Sequence, residues 1–357
     1  MFTEGDSILS SEKLDFLNAE FDYHLPKELI AQQPLAQRDN SRLLVVDRKN
    51  GSLKEMIFKD IINLLGEKDV LVLNDTKVIK ARLVGRRVSG AKLEILLLKE
   101  KGYGIWEVIV KPGKRARLKE KIIFNEGKFF AEIIDRTPQG GRLLKFTPSD
   151  IKPLLKDYGK VPLPPYIKRE EQTQDEEWYQ TVYAREEGAV SCPTAGLHFT
   201  PKLLEKLHKK GVEITYITLH CGLGTFRPVK TKDIRDHQMD KEKVILLPST
   251  AEVINRSKKE GKRVVAVGTT VVRTLETFSA ESFPYLRPGE GETDLYILPD
   301  YKFKVVDSII TNFHTPRSTN LILVSAFMGK ELTKQAYNFA IEKRYRFFSF
   351  GDAMFIV

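Results

Sequence analysis

The feature that most constrains this chain is a break in an otherwise regular alternation of strands and helices. Between about residues 80 and 146, short strand-like runs follow one another closely, with turns at pairs such as Pro112-Gly113 and Gly140-Gly141. Closely spaced strands with this punctuation are typical of a small antiparallel β-barrel. On either side, apolar strand-like segments alternate with amphipathic helices, which indicates a mainly parallel α/β sheet or barrel. The pattern predicts one α/β domain, built from both parts of the chain, that carries an inserted barrel.

The length agrees with this division, because 357 residues allow about two domains. We predict an α/β catalytic domain of residues 1–78 and 156–357. The inserted β-barrel domain is predicted to comprise residues 79–155.

An excess of basic residues favours polyanionic partners. Lys and Arg number 58, Asp and Glu number 48, and the sequence pI is about 9.3. A basic surface attracts RNA because phosphate contacts release counterions. Basic residues are frequent just before and within the predicted barrel, at Lys77, Lys80, Arg82, Arg86, Arg87, Lys92, Lys111, Lys114, Arg115 and Arg117. The barrel is therefore expected to contact RNA; the alternative is a structural insertion with a solvated basic surface.

Cysteine and histidine usage argues against a metal site. Cys192 and Cys221 form no CxxC pair, and the six histidines contain no pair at i,i+4 spacing. Two thiols fit a reducing cytoplasm, and no apolar run reaches the ~20 residues of a membrane span. The segment Met1 to Ser11 lacks the profile of a signal peptide. We expect a cytoplasmic protein without a metal or membrane contact.

Three loops carry polar groups where a strand is predicted to end and a helix to begin, which is where α/β folds bind ligands. The first, GAVSCPTAGLHFT at residues 188–200, holds Thr194 and His198 before a helix that Pro201 begins. His198 is either a site residue or a structural histidine in a tight loop.

The second loop, HCGLGTFRPV at residues 220–229, follows a predicted strand and contains His220, Gly222 and Gly224. Glycines permit positive φ angles or the close approach of a ligand, although a GxG pattern alone is a weak signal. The loop therefore becomes a candidate for substrate binding.

The third loop, GTTVVRTLE at residues 268–276, places Thr269 and Thr270 at a helix start, which suits a carboxylate or phosphate. Arg273 lies one turn further along the helix. Its alternative role is a surface ion pair with Glu276 at i+3.

Two further segments set polar groups in apolar surroundings. Residues 311–327, TNFHTPRSTNLILVSAF, place Asn312, His314, Arg317 and Ser318 before an apolar helix. Residues 345–354, YRFFSFGDAM, place Asp352 after a run of aromatic residues. These aromatic side chains either form core or stack on a purine.

Taken together, these segments resemble the S-adenosylmethionine:tRNA ribosyltransferase-isomerases of queuosine biosynthesis, from about residue 15 onwards. The matching strings are FDYHLPKELIAQ with PLAQRDNSRLLVVDR, LVLNDTKVIKARL, PLPPYIKR, WYQTVYA, GAVSCPTAGLHFT, HCGLGTFRPV, GTTVVRTLE, TNFHTPRSTNLILVSAF and YRFFSFGDAM. Nine strings in register are far more specific than any one of them. The chain departs from the expected family pattern at Ser191-Cys192, Cys221, Thr315 and Asn320, and also at Trp178 and Asp240.

The resemblance implies a distorted α/β barrel domain with an inserted small antiparallel β-barrel. It also implies that the ribosyl part of S-adenosylmethionine is transferred to 7-aminomethyl-7-deazaguanine at the first anticodon position of tRNA and isomerised. Adenine and methionine would leave, and epoxyqueuosine would form. S-adenosylmethionine is then a consumed substrate, no cofactor is expected, and we expect a monomer.

Roles for the candidate residues follow as hypotheses. The reaction needs a base near the sulfonium, an acid near adenine, and dipoles for an alkoxide. We assign the base to His198 or His220 and the adenine contact to Asp352. The substrate-binding candidates are Thr194, Gly222, Gly224, Thr269, Thr270, Arg273, His314 and Arg317. Of these, Thr269, Thr270 and Arg273 would hold the methionine carboxylate, and His314 and Arg317 would orient ribose or phosphate.

Two other functions remain open from the residues alone. An RNA methyltransferase that uses S-adenosylmethionine is disfavoured because its usual acidic GxGxGxG loop is missing. A non-catalytic RNA-binding module would leave the Gly-, Thr- and His-containing loops unexplained.

Overall fold

A computed structural model describes residues 16–138, 140–222, 224, 228–279 and 285–357; of Arg115 it describes the main chain only. The predictions for Met1 to Ser11 lie outside the described residues. In chain order the strands are β1 (Arg42–Val46), β2 (Leu53–Ile57), β3 (Asp69–Asn74), β4 (Thr76–Val78), β5 (Arg82–Arg87), β6 (Lys92–Gly102), β7 (Ile105–Lys111), β8 (Lys121–Phe124), β9 (Phe129–Arg136), β10 (Arg142–Thr147), β11 (Glu186–Ala189), β12 (Glu213–Leu219), β13 (Glu242–Leu246), β14 (Arg263–Val267), β15 (Gly289–Thr293), β16 (Ser308–Asn312) and β17 (Ala353–Ile356). The helices are α1 (Lys152–Tyr158), α2 (Asp175–Trp178), α3 (Pro201–Lys209), α4 (Pro248–Lys259), α5 (Thr269–Ser279), α6 (Thr319–Met328) and α7 (Lys330–Glu342).

The larger domain is built on one nine-stranded mixed sheet in the order β15-β13-β12-β3-β14-β16-β17-β1-β2. Its centre is parallel, because β12 and β14 flank β3 and β16 follows β14 in the same direction. Every residue of β3 and of β16 is buried, as expected for strands covered on both faces. The carboxyl ends of these four strands therefore lie along one edge, which we call the carboxyl edge.

The insertion is a closed barrel in the order β10-β7-β6-β5-β8-β9, with all pairs antiparallel. Alternate residues of β6 point inward, since Leu93, Ile95 and Leu97 are fully buried. The predicted class, α/β with an inserted small antiparallel barrel, is confirmed. In the larger domain the described strands pair in a linear order that leaves β15 and β2 at the edges. Barrel closure among the described pairings is thus confined to the insertion.

The chain enters and leaves the insertion at one place. Arg82 and Lys160 exchange two main-chain hydrogen bonds, of 3.1 and 2.8 Å. Helix α1 packs on the barrel through Leu155 and Tyr158, so the predicted boundary between residues 155 and 156 falls inside a helix. We call the place where the two segments meet, at Arg82 and Lys160, the root of the insertion.

The helix that the sequence predicts from Pro201 is present, and local hydrogen bonding explains where it begins. Thr200 caps α3, because its Oγ1 accepts the N–H of Leu203 at 3.2 Å, and Pro201 occupies the first helical position. The apolar run of residues 57–65 does not form one α-helix: Ile57 pairs with Arg42 as the last residue of β2. Only a 3-10 helix, Phe58–Asn63, follows it.

In the described part of the chain, no helix has the length and apolar character needed to cross a membrane.

The root of the insertion supplies a test of packing. A Cβ on Gly159 would lie 2.2 Å from the carbonyl oxygen of Lys80 and 2.4 Å from that of Leu155. Neither main-chain oxygen can move away without a shift of the backbone, so Gly159→Ala should lower the free energy of unfolding by about 1–3 kcal/mol. Gly66→Ala is the control, because its Cβ would meet nothing within 4 Å. We expect a lower denaturation midpoint for Gly159→Ala than for Gly66→Ala. Equal midpoints would contradict the close packing of Gly159 at the root.

Candidate active site

A cavity opens at the carboxyl edge of the sheet. It encloses about 610 Å³ of space between atoms, counting the open solvent at its mouth. No residue described as lining it is an Asp, Glu, Lys or Arg. Its polar wall consists of Tyr166, Ser191, Thr194, Thr269, Thr270, Thr311, Asn312, His314, Thr315, Ser318, Asn320 and Ser349. We call it the first cavity; its wall offers a ligand hydroxyls, amides and main-chain dipoles rather than formal charges.

The start of α5 forms one side of the first cavity. Gly268 has φ +92° and donates its N–H to the carbonyl of Ile310 at 2.8 Å, which turns the chain from β14 into the helix. Thr269 Oγ1 donates to Asn320 Oδ1 at 3.0 Å, and Thr270 Oγ1 accepts from Asn74 Nδ2 at 3.2 Å. The first N–H groups of a helix have no partner within it and favour anions. This side of the cavity therefore suits a carboxylate.

Asn312, at the end of β16, faces the first cavity with His198 behind it. Its Nδ2 donates to the carbonyl of Phe348 at 3.1 Å and lies 3.2 Å from His198 Nε2. An amide nitrogen only donates, so Nε2 accepts and the ring proton is on Nδ1, 2.8 Å from Ser41 Oγ. Thr194 Oγ1 donates to Asn312 Oδ1 at 3.2 Å. The ring of His198 thus orients the amide of Asn312.

His198 is neutral in the folded protein. Burial, reinforced by the cations of Arg346 and Arg38, lowers the pKa of His198 to about 3. Its ring also stacks on Phe58, with centroids 4.9 Å apart. Both ring nitrogens are occupied and the residue does not line the cavity, so the structure places it as a support for the wall.

His314 does line the first cavity. Its Nε2 lies 2.7 Å from Thr311 Oγ1, and its main-chain N–H donates to the hydroxyl of Tyr337 at 3.0 Å. Burial lowers the pKa of His314 to about 3. The side chain is therefore a neutral dipole in the wall.

A second, larger cavity lies between the barrel and the loop that follows β12. It holds about 2990 Å³ of space between atoms, solvent included. Cys221 lines both cavities, so they share a wall. The charged groups are eight lysines and seven carboxylates: Lys77, Lys80, Lys99, Lys101, Lys152, Lys156, Lys241 and Lys243, with Glu100, Glu107, Glu176, Glu187, Asp240, Glu242 and Glu292. The cavity is polar but almost balanced in charge.

His220 and Gly222 line this second cavity. The Nδ1 of His220 lies 2.8 Å from Thr76 Oγ1, and its ring packs against Gly188, where an added Cβ would come within 2.8 Å. Burial, with a smaller contribution from Lys243, lowers the pKa of His220. The ring is thus held by one nitrogen, next to the wall that both cavities share.

Arg273 is engaged elsewhere than predicted. Its guanidinium forms a buried ion pair with Glu242, whose other oxygen accepts the N–H of Gly222 at 2.7 Å. Its Nε also donates to the carbonyl of Leu295 at 3.0 Å. Arg273 therefore fixes the Gly222 loop against α5 and does not line the first cavity. Glu276, the alternative partner that the sequence offered, is buried and accepts the main-chain N–H groups of residues 304–306.

Asp352, Arg317 and Gly224 line neither cavity. The carboxylate of Asp352 accepts the N–H of Arg42 at 2.9 Å and of Arg346 at 2.7 Å; burial raises its pKa, and these bonds oppose the rise. Arg317 pairs with Asp22. An added Cβ on Gly224 would lie 2.8 Å from the carboxylate of Asp240. The structure thus brings Thr194, Thr269, Thr270 and His314 together, and His220 and Gly222 beside them.

The prediction missed several wall residues, notably Asn320 and Tyr166, and assigned no role to Asn312. Asn312 was recognisable as a polar residue before an apolar helix; no signal marked Tyr166, which belongs to the proline-rich connector. The positions Ser191, Cys192, Cys221, Thr315 and Asn320, at which we expect this sequence to differ from the family pattern, all line the first cavity. Among the described residues no group of three or more His, Cys, Asp or Glu side chains is placed to hold a metal ion.

Comparison with known proteins identifies the family. A family model described as "Queuosine biosynthesis protein" matches residues 18–356. The S-adenosylmethionine:tRNA ribosyltransferase-isomerase of Caldanaerobacter subterraneus subsp. tengcongensis is 52% identical over 341 residues, which cover 95% of this chain and 99% of that protein. The chain belongs to the family of S-adenosylmethionine:tRNA ribosyltransferase-isomerases.

Two further proteins with such names are also similar to this chain. The enzyme of that name from Halothermothrix orenii is 50% identical over 340 residues, covering 95% of this chain and 99% of its own. The crystal structure of S-adenosylmethionine tRNA ribosyltransferase from Thermotoga maritima superposes with a TM-score of 0.55 at 40% identity, covering 95% of this chain and all of that one. The predicted family and the prediction of a transferase and isomerase are confirmed.

The buried state of His198 predicts a pH dependence of stability. Its pKa is about 3 when folded against 6.5 ordinarily, so between these values the unfolded chain binds a proton that the folded chain does not. Stability therefore rises with pH across this window. His198→Gln keeps an acceptor and a donor but cannot titrate, and should flatten the dependence by up to about 1.4 kcal/mol per pH unit.

Chemical denaturation between pH 4 and 7 measures this effect. The exposed His208 supplies the control variant, His208→Gln, which should follow the unsubstituted protein. A slope for His198→Gln equal to that of the control would show that His198 is not buried in the neutral form.

Proposed function

We propose that this enzyme transfers the ribosyl part of S-adenosylmethionine to 7-aminomethyl-7-deazaguanine at the first anticodon position of tRNA and isomerises it. The products are epoxyqueuosine in tRNA, adenine and methionine. S-adenosylmethionine is a substrate, and no cofactor takes part. Family membership supports the reaction class, and the uncharged cavity at the carboxyl edge, beside the start of α5, is the observation that carries the substrate assignment.

The wall of the first cavity supplies a place for each part of S-adenosylmethionine. The methionine carboxylate binds at the first turn of α5, near Thr269 and Thr270. The ribose hydroxyls bind Thr194, Asn312 and His314.

Adenine packs on the aromatic end of the first cavity. The rings of Tyr166 and Phe348 lie there, with centroids 4.7 Å apart. Phe348 has φ +70°, an uncommon conformation for a residue with a large side chain, and such residues cluster at functional sites. Asp352 acts through the main chain in this scheme, because its carboxylate holds the turn that presents Phe348.

The chemistry begins with removal of a proton from the 5′ carbon, which the sulfonium makes acidic. The ylide expels the ring oxygen from the 4′ carbon, and the opened sugar becomes a 1′ aldehyde as protonated adenine leaves. The acceptor amine adds to the 4′ carbon of the vinyl sulfonium, which regenerates the ylide. The 5′ carbon closes on the aldehyde, and the resulting alkoxide displaces methionine to form the epoxide. Wall dipoles stabilise the alkoxide.

His220 is the base in this proposal. It stands beside the shared wall, one ring nitrogen is held by Thr76, and its lowered pKa leaves the ring neutral and able to accept a proton near pH 7. His198 remains a positioning residue behind Asn312. Arg273 and Arg317 act through the loops that their ion pairs hold. The tRNA guanine approaches through the second cavity, whose size admits a nucleotide.

Substitution of the two histidines separates these roles. His220→Ala should lower kcat for adenine release by about 10²- to 10⁴-fold, the usual contribution of a general base, with little change in the KM for S-adenosylmethionine. His198→Ala should chiefly raise that KM, since Asn312 loses its acceptor, and His198→Gln should restore it. Near-normal turnover by His220→Ala would remove His220 from the mechanism.

The whole proposal is tested by mass analysis of the product nucleoside. The protein is incubated with S-adenosylmethionine and tRNA that carries the aminomethyl deazaguanine. Adenine and a nucleoside with the added epoxycyclopentane ring are expected. Formation of S-adenosylhomocysteine would indicate a methyltransferase, and tRNA binding without consumption of S-adenosylmethionine would indicate a binding module; either result would overturn the proposal.

A further inference from the structure

One end of the inserted barrel is a concentrated cationic surface. Strands β5, β7 and β9 end there, and β6, β8 and β10 begin there, as the antiparallel registers require. The root, at Arg82 and Lys160, lies at the opposite end. We call this end the free rim and define it by six exposed cations: Arg86, Lys92, Lys111, Lys114, Arg117 and Lys121.

The charges of the free rim are largely uncompensated. In the part of the chain that the structure describes, none of the six cations forms an ion pair, whereas Lys80, Lys99 and Lys101 toward the root pair with glutamates. Two neighbouring carboxylates are engaged with other cations: Glu120 pairs with Arg87, and Glu94 lies 3.7 Å from Arg82.

The register places both like and opposite charges across from one another at this end. Lys111 stands across from Glu94 and Lys121 across from Glu132. Arg86, however, stands directly across from Lys92, and Arg136 directly across from Arg142. Like charges in such cross-strand pairs destabilise a sheet, and an external anion bound between them would offset that cost.

The kind of polyanion follows from what surrounds the cations. Proteins that hold single strands stack bases on aromatic rings, whereas the exposed large apolar residues described at this end, Val88, Leu118 and Ile134, are not aromatic. Double-helical RNA is instead recognised by shape and phosphate contacts. The rim is also continuous with the proposed approach of the substrate, because Thr137 and Gly141 of the β9–β10 turn line the second cavity.

We propose that the free rim binds the phosphate backbone of a double-helical stem of the tRNA substrate, while the anticodon nucleotide enters the second cavity. The inference rests on the proposed function for the identity of the RNA. It assigns the rim a role in tRNA affinity and none in the chemical step.

Neutralising three rim cations tests the inference against a matched control. The rim variant combines Lys92→Gln, Lys111→Gln and Lys114→Gln. The control combines Lys49→Gln, Lys54→Gln and Lys68→Gln, which remove the same charge from exposed lysines beyond the carboxyl end of β1, at the start of β2 and before β3. These positions lie at the edge of the sheet opposite the carboxyl edge.

The readouts are kcat, both KM values and tRNA binding at several salt concentrations. For the rim variant, the slope of log affinity for tRNA against log salt should fall by about 2 to 3 units, near one per lost phosphate contact. Its kcat and its KM for S-adenosylmethionine should equal those of the control. An unchanged slope, or an equal change in the control, would overturn the proposal.

Competitors identify the RNA structure that the rim contacts. An RNA hairpin stem should compete with tRNA for the unsubstituted protein and lose that ability with the rim variant. An unstructured RNA of equal length that competes equally well would overturn the assignment to a double helix. If rim-dependent tRNA binding occurs without turnover of S-adenosylmethionine, the proposed function fails and the rim assignment stands. If turnover occurs and the KM for tRNA is the same in the rim variant, the rim assignment fails and the proposed function stands.

Discussion

The buried side-chain amide of Asn74 holds the carboxyl edge together. Its Oδ1 accepts the N–H groups of Leu219 and Thr76, and its Nδ2 donates to the carbonyl of Leu219 and to Thr270 Oγ1, at 3.1–3.2 Å. One side chain thereby joins the end of β12, the start of β4 and the first turn of α5. Each of these groups would cost about 1–3 kcal/mol if left buried without a partner. Residues at or next to this junction line both cavities: Thr270 lines the first cavity, and Cys221, which follows β12, lines both.

Charged residues near the site serve to hold its loops, and the wall of the first cavity is left to neutral dipoles. Glu242 and Arg273 fix the Gly222 loop, Asp352 fixes the turn before β17, and Asp22 and Arg317 fix the chain before α6. Such an arrangement avoids burying an unpaired charge, which is expensive. In the proposed function, a sulfonium bound in the cavity would meet fixed dipoles whose orientation needs no rearrangement during the reaction.

Local signals predicted the elements, while partners distant in the chain decided the roles of individual residues. The Thr200-Pro201 start of α3 and the Gly268-Thr269 turn were predictable because capping chemistry is local. The partner of Arg273 was not, because Glu242 is 31 residues away and reaches it only through the pairing of β12 with β13.

His198 shows the same limit at the candidate site. Its position in a small, polar loop indicated a ligand contact, but the ring turns toward Ser41 and Phe58, which precede it by more than a hundred residues. The apolar run of residues 57–65 has the pattern of a helix, and only the pairing with β1 shows that Ile57 belongs to a strand. A pattern of residue types along the chain therefore does not predict the direction in which an individual side chain points.

The double main-chain link between Arg82 and Lys160 has an evolutionary consequence. The two ends of the barrel segment are hydrogen-bonded neighbours. The barrel is therefore an insertion in the chain of the larger domain, and its first and last residues lie side by side. Ends this close allow a module to be gained, exchanged or lost with a short linker in its place and little disturbance to the host. Modules with different rims can be carried on the same scaffold. Under the proposed roles of the free rim and the first cavity, recognition of nucleic acid can then diverge while the pocket for the small substrate is retained.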